Sequence, residues 1–373
     1  MRWLFWLSFA FIAYTYVGYA VWLWLRGWLR PWPVQRGSYE PPVSVVLVVR
    51  NEEQTLRDKL RNLGELEYPA ERLQVVIVSD GSTDGTETIL REYANHPRMH
   101  LLMNQFPQGK ACSLNDAMTV VAGDVVVFTD ARQKIEPQAV RRLMENLADA
   151  NVGCVSGELM LGDPGSGESA RGMGLYWRIE KRMRELESRS GSLVGATGAL
   201  YAMRREFVMP LPSGTILDDV YLPTQVVRQG KRVVFEPRAR AWDSANLGTD
   251  REFSRKVRTL SGNYQLLQLA PWLLSGSNPI RFEFISHKLL RLAVPFAMAA
   301  MFATSLLLPG ILYRAALILQ LAFYGLSLLG MMQLNRGPVG RLADAALTFV
   351  VLHVAAAVAF AKFVTGRTPV WTR

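Results

Sequence analysis

Between Val43 and Asp84 two short apolar runs bracket one amphipathic stretch, and this arrangement narrows the possible folds more than any other feature of the chain. Val43–Val49 and Leu73–Val78 are rich in β-branched residues and show little polar alternation, the pattern of strands buried on both faces of a parallel sheet. Between them Leu56, Leu60 and Leu63 recur at helical spacing, so the segment predicts a strand–helix–strand unit. Ligands of open α/β sheets gather at the carboxyl ends of such strands. Those ends carry Arg50, Asn51 and Glu52 after the first run, and Asp80, Gly81, Ser82 and Asp84 after the second. Polar residues where a buried strand stops are the first place to look for chemistry.

The rest of the chain divides by hydropathy. Half of its 373 residues are hydrophobic, and they concentrate near the two ends. Trp3–Leu25 is long enough to span a bilayer and has Trp and Tyr near its ends. It is long for the apolar core of a signal peptide and has only Arg2 before it, so it reads as an anchor. Arg26, Arg30 and Arg36 follow, which by the positive-inside rule places the next domain in the cytoplasm, at the inner membrane. Pro31, Pro33, Pro41 and Pro42 form a stiff linker. Towards the other end, Ser286–Leu292 reads as interfacial, and Leu292–Leu308, Ile311–Met332 and Leu342–Ala361 as spans. Four spans would leave the C-terminus outside, whereas Lys362, Arg367 and Arg373 argue for the inside. A re-entrant or interfacial segment would reconcile the two. The expected organisation is an anchor over 1–30, an α/β domain over 40–270 and a membrane region over 271–373. The formal charge of +10 suits a membrane surface or nucleic acid. Arg281, Lys288 and Arg291 beside apolar segments favour the bilayer, and no nucleic-acid motif occurs. Cys112 and Cys154 suggest neither a disulfide framework nor a metal knuckle.

Further elements follow from the same rules. Ser82 or Thr83 is expected to cap a helix to Tyr93, and Gly109-Lys110 to open one to Val121. Asp124–Phe128 is a third buried strand, ending in Thr129-Asp130-Ala131-Arg132, and Pro137 starts a helix. Val152–Leu159 reads as a strand, Gly162–Ser169 as a loop, and Arg171–Ser188 as a helix with Leu175, Ile179, Met183 and Leu186 on one face. The turn Gly195–Gly198 leads into strand Ala199–Met203. Asp218-Asp219 opens a helix ending near Gly230, and Arg232–Phe235 is a strand. From Arg251, Phe253, Val257, Leu260 and Tyr264 form an apolar stripe opposite Arg251, Arg255 and Arg258.

Taken singly, the polar motifs each have two accounts. Asp80 could accept hydrogen bonds from a base or ribose, or belong to a plain turn. Lys110 at a helix start could meet a diphosphate or point to solvent; no P-loop spacing surrounds it. Asp130 could bind ribose or a divalent cation with Arg132 adding positive charge, or form a loop ion pair. Asp218-Asp219 could complement the helix dipole, or raise one another's pKa as a general base requires. Arg255, Lys256 and Arg258 could line solvent or lipid, or grip one polyanion.

Taken in order, VVRNEE, SDGSTDGT, GKACSLN, FTDAR, GATGALYAMRR, LDD and RKVRT resemble the motif series of membrane-anchored family 2 glycosyltransferases, over about Pro42 to Leu267. These inverting enzymes have the GT-A fold, a Rossmann-like and mainly parallel α/β sheet, and use nucleotide-diphosphate sugars; cellulose, hyaluronan and poly-N-acetylglucosamine synthases are members. The resemblance implies that Val49, Glu52 and Asp80 line the nucleotide pocket, with Glu52 and Asp80 holding the uridine part of a UDP-linked sugar and Lys110 by the sugar-phosphate. It makes Asp130 the first acid of the family's DxD and a ligand for Mg²⁺ or Mn²⁺, Asp219 the general base, Asp218 its partner acid, and Gly198 a neighbour of the acceptor. Arg132 stands where the second DxD acid is expected. RKVRT stands where processive synthases have Q-x-x-R-W. It keeps Arg258 for the departing diphosphate, with Arg255 nearby, and lacks the Gln and Trp. The implied reaction moves one sugar to a lipid-linked or glycan acceptor at the bilayer. The alternatives are a processive synthase that secretes its polysaccharide, and a catalytically degenerate nucleotide sensor or scaffold.

Overall fold

The computed structural model describes residues 1–162, 175–243, 249–332 and 337–366. Its strands are β1 (Val43–Val49), β2 (Leu73–Asp80), β3 (Met99–Asn104), β4 (Val125–Thr129), β5 (Lys134–Ile135), β6 (Val152–Leu161), β7 (Leu200–Arg204) and β8 (Arg232–Asp243). They form one sheet in the order β3-β2-β1-β4-β7-β6-β8-β5. β1 runs parallel to β2 and β4, and β2 to β3. β7 lies antiparallel between β4 and β6, and β8 runs parallel to β6 while taking β5 antiparallel.

The helices are α1 (Arg2–Leu29), α2 (Glu53–Gly64), α3 (Thr86–Arg91), α4 (Lys110–Met118), α5 (Ala139–Leu147), α6 (Leu175–Ser190), α7 (Asp218–Arg228), α8 (Thr249–Leu269), α9 (Arg281–Leu307), α10 (Ile311–Met331) and α11 (Pro338–Val364). Side chains alternate across the pleat, and β1 uses both sides. Val43, Val45, Leu47 and Val49 pack with Leu56, Leu60 and Leu63 of α2 and Leu143 of α5. Val46 and Val48 pack with Leu114 of α4 and Leu222 and Val226 of α7. The absence of polar alternation in the sequence is thus explained by helices on both faces.

Several boundaries differ from expectation. α3 begins at Thr86 because Asp84, not Ser82 or Thr83, takes the first free amide: Thr86 N donates to Asp84 Oδ1 at 3.0 Å. Ser82 Oγ instead accepts from Asn51 N at 3.2 Å. α4 stops at Met118 and α5 starts at Ala139, two residues after Pro137. β8 continues to Asp243, beyond Phe235, because the register shift between Ser156 and Glu158 of β6 lets the pair resume past Pro237. β3 was not anticipated; it is a half-buried edge strand, MHLLMN, without β-branched residues. The expected start of α6 at Arg171 and all of the Gly162–Ser169 loop except Gly162 lie outside the described residues. Met183 and Leu186 of α6 are buried, whereas Ile179 is 40% exposed.

Among the described residues four helices are long and apolar enough to cross a membrane: α1, α9, α10 and α11. α1 and α9 join the α/β body through polar contacts. Tyr19 Oη donates to Glu187 Oε1 at 2.7 Å. His287 faces Glu187 Oε1 at 2.7 Å and Glu180 Oε1 at 3.0 Å, and Arg291 pairs with Glu180 at 2.8 Å. Arg26 pairs with Glu283. The proline-rich linker is held down: Trp32 N donates to Arg189 O, and Arg232 donates to Trp32 O. Near the end of α11, Phe363 stacks on Tyr264 of α8 with ring centroids 5.0 Å apart.

Candidate active site

The carboxyl ends of β1 and β2 are stitched together. Asn51, in a left-handed conformation with φ 53°, accepts from Thr83 N at 2.8 Å through Oδ1. Glu53 Oε2 accepts from Gly85 N at 2.7 Å, and Glu53 N donates to Asp84 Oδ2 at 3.2 Å. Asn and Asp tolerate this backbone region better than other non-glycine residues. The two loops therefore form one rigid rim, with Val49 buried at its base and Glu52 accepting from Thr55 Oγ1 at 2.9 Å.

Asp80 is buried and turned inward. It accepts from Gln108 N at 2.8 Å, Gly109 N at 3.0 Å and Ser113 Oγ at 3.0 Å. The carboxylate thus fixes the loop that opens α4 and aims Lys110. The close pass is possible because Gly81, at φ 60°, has no Cβ: one would sit 2.5 Å from Pro107 N.

Lys110 is the centre of an acid cluster. Its Nζ lies 3.0 Å from Asp130 Oδ1 and 3.2 Å from Asp218 Oδ2. The antiparallel pairing of Thr129 with Leu200 brings the glycine turn before β7 alongside Asp130. Gly198 N donates to Asp219 Oδ2 at 3.0 Å, and Ala196 N to the Asp219 carbonyl at 2.7 Å. A Cβ on Gly198 would lie 3.2 Å from Asp219 Oδ2 and 3.7 Å from Asp130 Oδ2. Asp130, Asp218, Asp219, Lys110 and Gly198, spread over four separate stretches of sequence, thus share one place.

Their electrostatics differ. Burial, then neighbouring Asp218, lifts the Asp219 carboxyl to about 6, against the pull of Lys110 and Lys288. Burial also pushes Asp130 up, but Lys110 outweighs it and the carboxyl is held below its ordinary value. Lys110 is raised because its three carboxylate neighbours outweigh its own desolvation. The site therefore pairs a stable anion with a nearby carboxyl that titrates near neutrality, the separation expected where two acids have different tasks.

A second group of cations lies on the loop after β4 and on α8. Burial, then the charge of Arg132, lowers the Arg255 pKa, with Arg258 adding to the effect. Asp243 ties the group to the loop: it accepts from Gln133 Nε2 at 2.9 Å and pairs with Arg255 at 3.8 Å. Behind the loop Lys59 Nζ donates to Thr129 Oγ1 at 2.9 Å and to Gln133 O at 2.7 Å. It adjoins a cavity of about 420 Å³ also lined by Asn62, Arg132 and Gln133. Lys59 was missed by sequence reasoning, although a lysine between Leu56, Leu60 and Leu63 on an apolar helix face is a visible anomaly.

No group of three or more His, Cys, Asp or Glu side chains suited to a metal ion occurs among the described residues. Mg²⁺ is commonly held by one or two carboxylates together with substrate phosphates. Asp130 is the carboxylate at the strand end that such an ion would use, and here it is paired with Lys110 Nζ at 3.0 Å.

Residues 44–210 match Glycosyl transferase family 2. The segment over those residues is a family 2 glycosyltransferase domain. A Bacillus subtilis (strain 168) protein described as "Probable glycosyltransferase YdaM" is 26% identical over 216 residues, covering 54% of this chain and 50% of that protein. The poly-beta-1,6-N-acetyl-D-glucosamine synthase of Staphylococcus aureus (strain COL) is 22% identical over 229 residues, covering 60% and 55%. The chain thus spans about half the length of the curated relatives it matches. The family 2 domain also has a solved likeness: the mannosyltransferase PcManGT from Pyrobaculum calidifontis, in complex with GDP-Man and Mn²⁺, superposes with a TM-score of 0.75 at 24% identity. That match covers 98% of this chain and 99% of the other. The mixed α/β sheet is the GT-A fold, and Asp218 and Asp219 of the acid cluster lie just beyond the residues that match the family.

Proposed function

We propose that this chain is an inverting glycosyltransferase that moves one sugar from a nucleotide-diphosphate donor to a lipid-linked or glycan acceptor at the membrane. The observation that carries the proposal is Asp219: a carboxylate lifted to about 6, held by Gly198 N at 3.0 Å and set beside the Lys110–Asp130 pair. In this reading Asp219 takes the proton of the acceptor hydroxyl. The freed oxygen attacks C1 of the donor sugar in line, and the bond from C1 to the diphosphate oxygen breaks on the opposite face. Lys110 and Arg258 receive the charge that develops on the diphosphate. Val49, Glu52 and the Asp80-anchored loop frame the nucleotide, with Arg132 and Arg255 on the phosphate side. Mg²⁺ or Mn²⁺ held by Asp130 would supply further charge stabilisation. The GDP-Man and Mn²⁺ of the Pyrobaculum protein support this donor class. The basic residues after α1 support a cytoplasmic active site at the inner membrane. The Phe363–Tyr264 stack supports a C-terminus on the same side, with one of the four apolar helices not fully crossing.

The test is turnover of nucleotide sugars by the purified chain in detergent, with membrane extracts as acceptor. Asp219→Asn keeps the hydrogen bond from Gly198 N through its amide oxygen and loses the base. Turnover is expected to fall by about 10² to 10⁴ while donor binding, read by thermal shift, stays near native. Normal turnover in this variant would rule the assignment out.

A further inference from the structure

One buried amine takes no part in the reaction just described. Lys59 lies among Leu56, Leu60 and Leu63 of α2 and is only 2% exposed. Its Nζ donates to Thr129 Oγ1 at 2.9 Å, at the end of β4, and to Gln133 O at 2.7 Å, just before β5. Both partners are neutral. The acid whose charge it feels, Asp130, has its Oδ1 on Lys110 at 3.0 Å. A lysine is seldom buried in such company, and burial holds this one down to about 7. Its two hydrogen bonds are therefore kept at a cost in stability.

Between those partners stand only Asp130, Ala131 and Arg132. One amine thus closes the loop that carries both of the residues assigned to the donor phosphates at this strand end. Thr129 Oγ1 passes the link on, donating to Ala199 O at 2.9 Å. Ala199 follows Gly198, whose N holds Asp219 Oδ2 at 3.0 Å. One turn along α2, Asn62 pins the far side of the loop: its Nδ2 donates to Ile135 O and its Oδ1 accepts from Ile135 N, both at 2.8 Å. Packing alone does not hold the loop. A cavity of about 420 Å³ is lined by its Ala131, Arg132 and Gln133 and by Asp58, Lys59 and Asn62 of α2, so the loop has room to shift once its hydrogen bonds are lost.

Resting on the glycosyltransferase reading, we infer that Lys59 is a positioning residue for the donor: it clasps residues 129–133 so that Asp130 and Arg132 meet the diphosphate in one geometry, and it ties that strand end to the Gly198 turn. It touches no substrate and moves no proton. A lysine suits the task because its amine donates in two directions at once, to a hydroxyl and to a carbonyl, and when protonated it makes stronger bonds than a neutral donor. An apolar side chain of the same length would remove the burial penalty and leave the Gln133 carbonyl without this partner. Stability and function therefore pull in opposite directions at this position, which separates the clasp from a side chain that merely fills space.

The experiment uses the full chain in detergent with Mn²⁺ present. Binding of UDP, GDP, ADP and CDP is read by titration calorimetry, and donor KM and kcat are read with the matching nucleotide sugars at saturating membrane extract. Lys59→Met should weaken the diphosphate that the native chain binds by about tenfold, the weight of one hydrogen bond to a charged group, and raise donor KM by about the same factor. Its melting temperature at pH 6 should stay near native, because a buried charge has gone. Thr129→Val removes the shared hydroxyl with little change in volume and should reproduce part of the loss, which decides the matter if Lys59→Met folds poorly. The double variant should be no worse than Lys59→Met alone, since both changes open the same clasp. Unaltered diphosphate affinity and donor KM in both single variants overturn the inference, as do losses that add in the double variant. A lower kcat at unchanged donor KM together with a lower melting temperature, the mark of fewer folded molecules, overturns it too. A native chain that binds a diphosphate leaves the transferase reading standing whatever the variants do; one that binds none and consumes no nucleotide sugar overturns that reading itself.

Discussion

Replacing Lys110 with Met isolates the electrostatics of the acid cluster. The ammonium contacts Asp130 and Asp218 at 3.0 and 3.2 Å and is the strongest of the groups that pull Asp219 down towards about 6. A unit charge at 4 Å in a medium of effective dielectric about 20 contributes about 4 kcal/mol. Lys110 touches the two other acids rather than Asp219, so a third to two thirds of that is a reasonable share. At 1.36 kcal/mol per pH unit, this is about one to two units. The sign follows from the role: a base must be ionised, so activity is lost as pH falls through its pKa, and removing a cation raises that pKa. The assay is kcat/KM against pH, which reports the ionisation of the free enzyme. The native acid limb should fall near pH 6, and the Lys110→Met limb near 7 to 8, whatever the loss in absolute rate. Lys110→Arg should leave the limb close to native. An acid limb that stays put in Lys110→Met would show that another group controls the rate, and the base assignment would go with it.

Arg132→Asp restores an acid two residues after Asp130; activity in EDTA should drop below that of the native chain and recover on Mn²⁺ addition, read as a metal titration. An identical metal response in both proteins would remove Arg132 from the phosphate side. Burial holds Lys59 down to about 7, so the folded state resists its charge; that penalty is complete below about pH 7 and fades as pH rises towards the ordinary lysine value of about 10.4. The melting temperature of Lys59→Met minus that of the native chain should therefore decrease steadily over this range, and a flat difference would contradict the buried amine. Gly198→Ala puts a methyl group 3.2 Å from Asp219 Oδ2, displacing the carboxylate by a few tenths of an ångström; kcat should fall roughly tenfold with little change in melting temperature, and an unaltered kcat would mean the geometry there is slack.

What could be read from the sequence was whatever is local. β1 and β2 announce themselves because helices cover both faces and no polar alternation survives. Asp80, Lys110, Asp130 and Asp219 stood out because each ends or follows a strand or opens a helix. Their assembly was not legible, since it depends on β7 reversing between β4 and β6, which sets Gly198 against Asp130. Nor was the inward turn of Asp80, whose partners are backbone amides of a loop that no side-chain pattern marks. β3 escaped because an edge strand needs only one good face.

The aromatic stack between Tyr264 and Phe363 ties the last apolar helix to the same rod that carries Arg255 and Arg258. A change in the slant of α11 is consequently levered to guanidinium groups at the rim of the cleft. Were α11 embedded as its length and apolar composition allow, bilayer thickness would through this linkage bear on the width of the cleft.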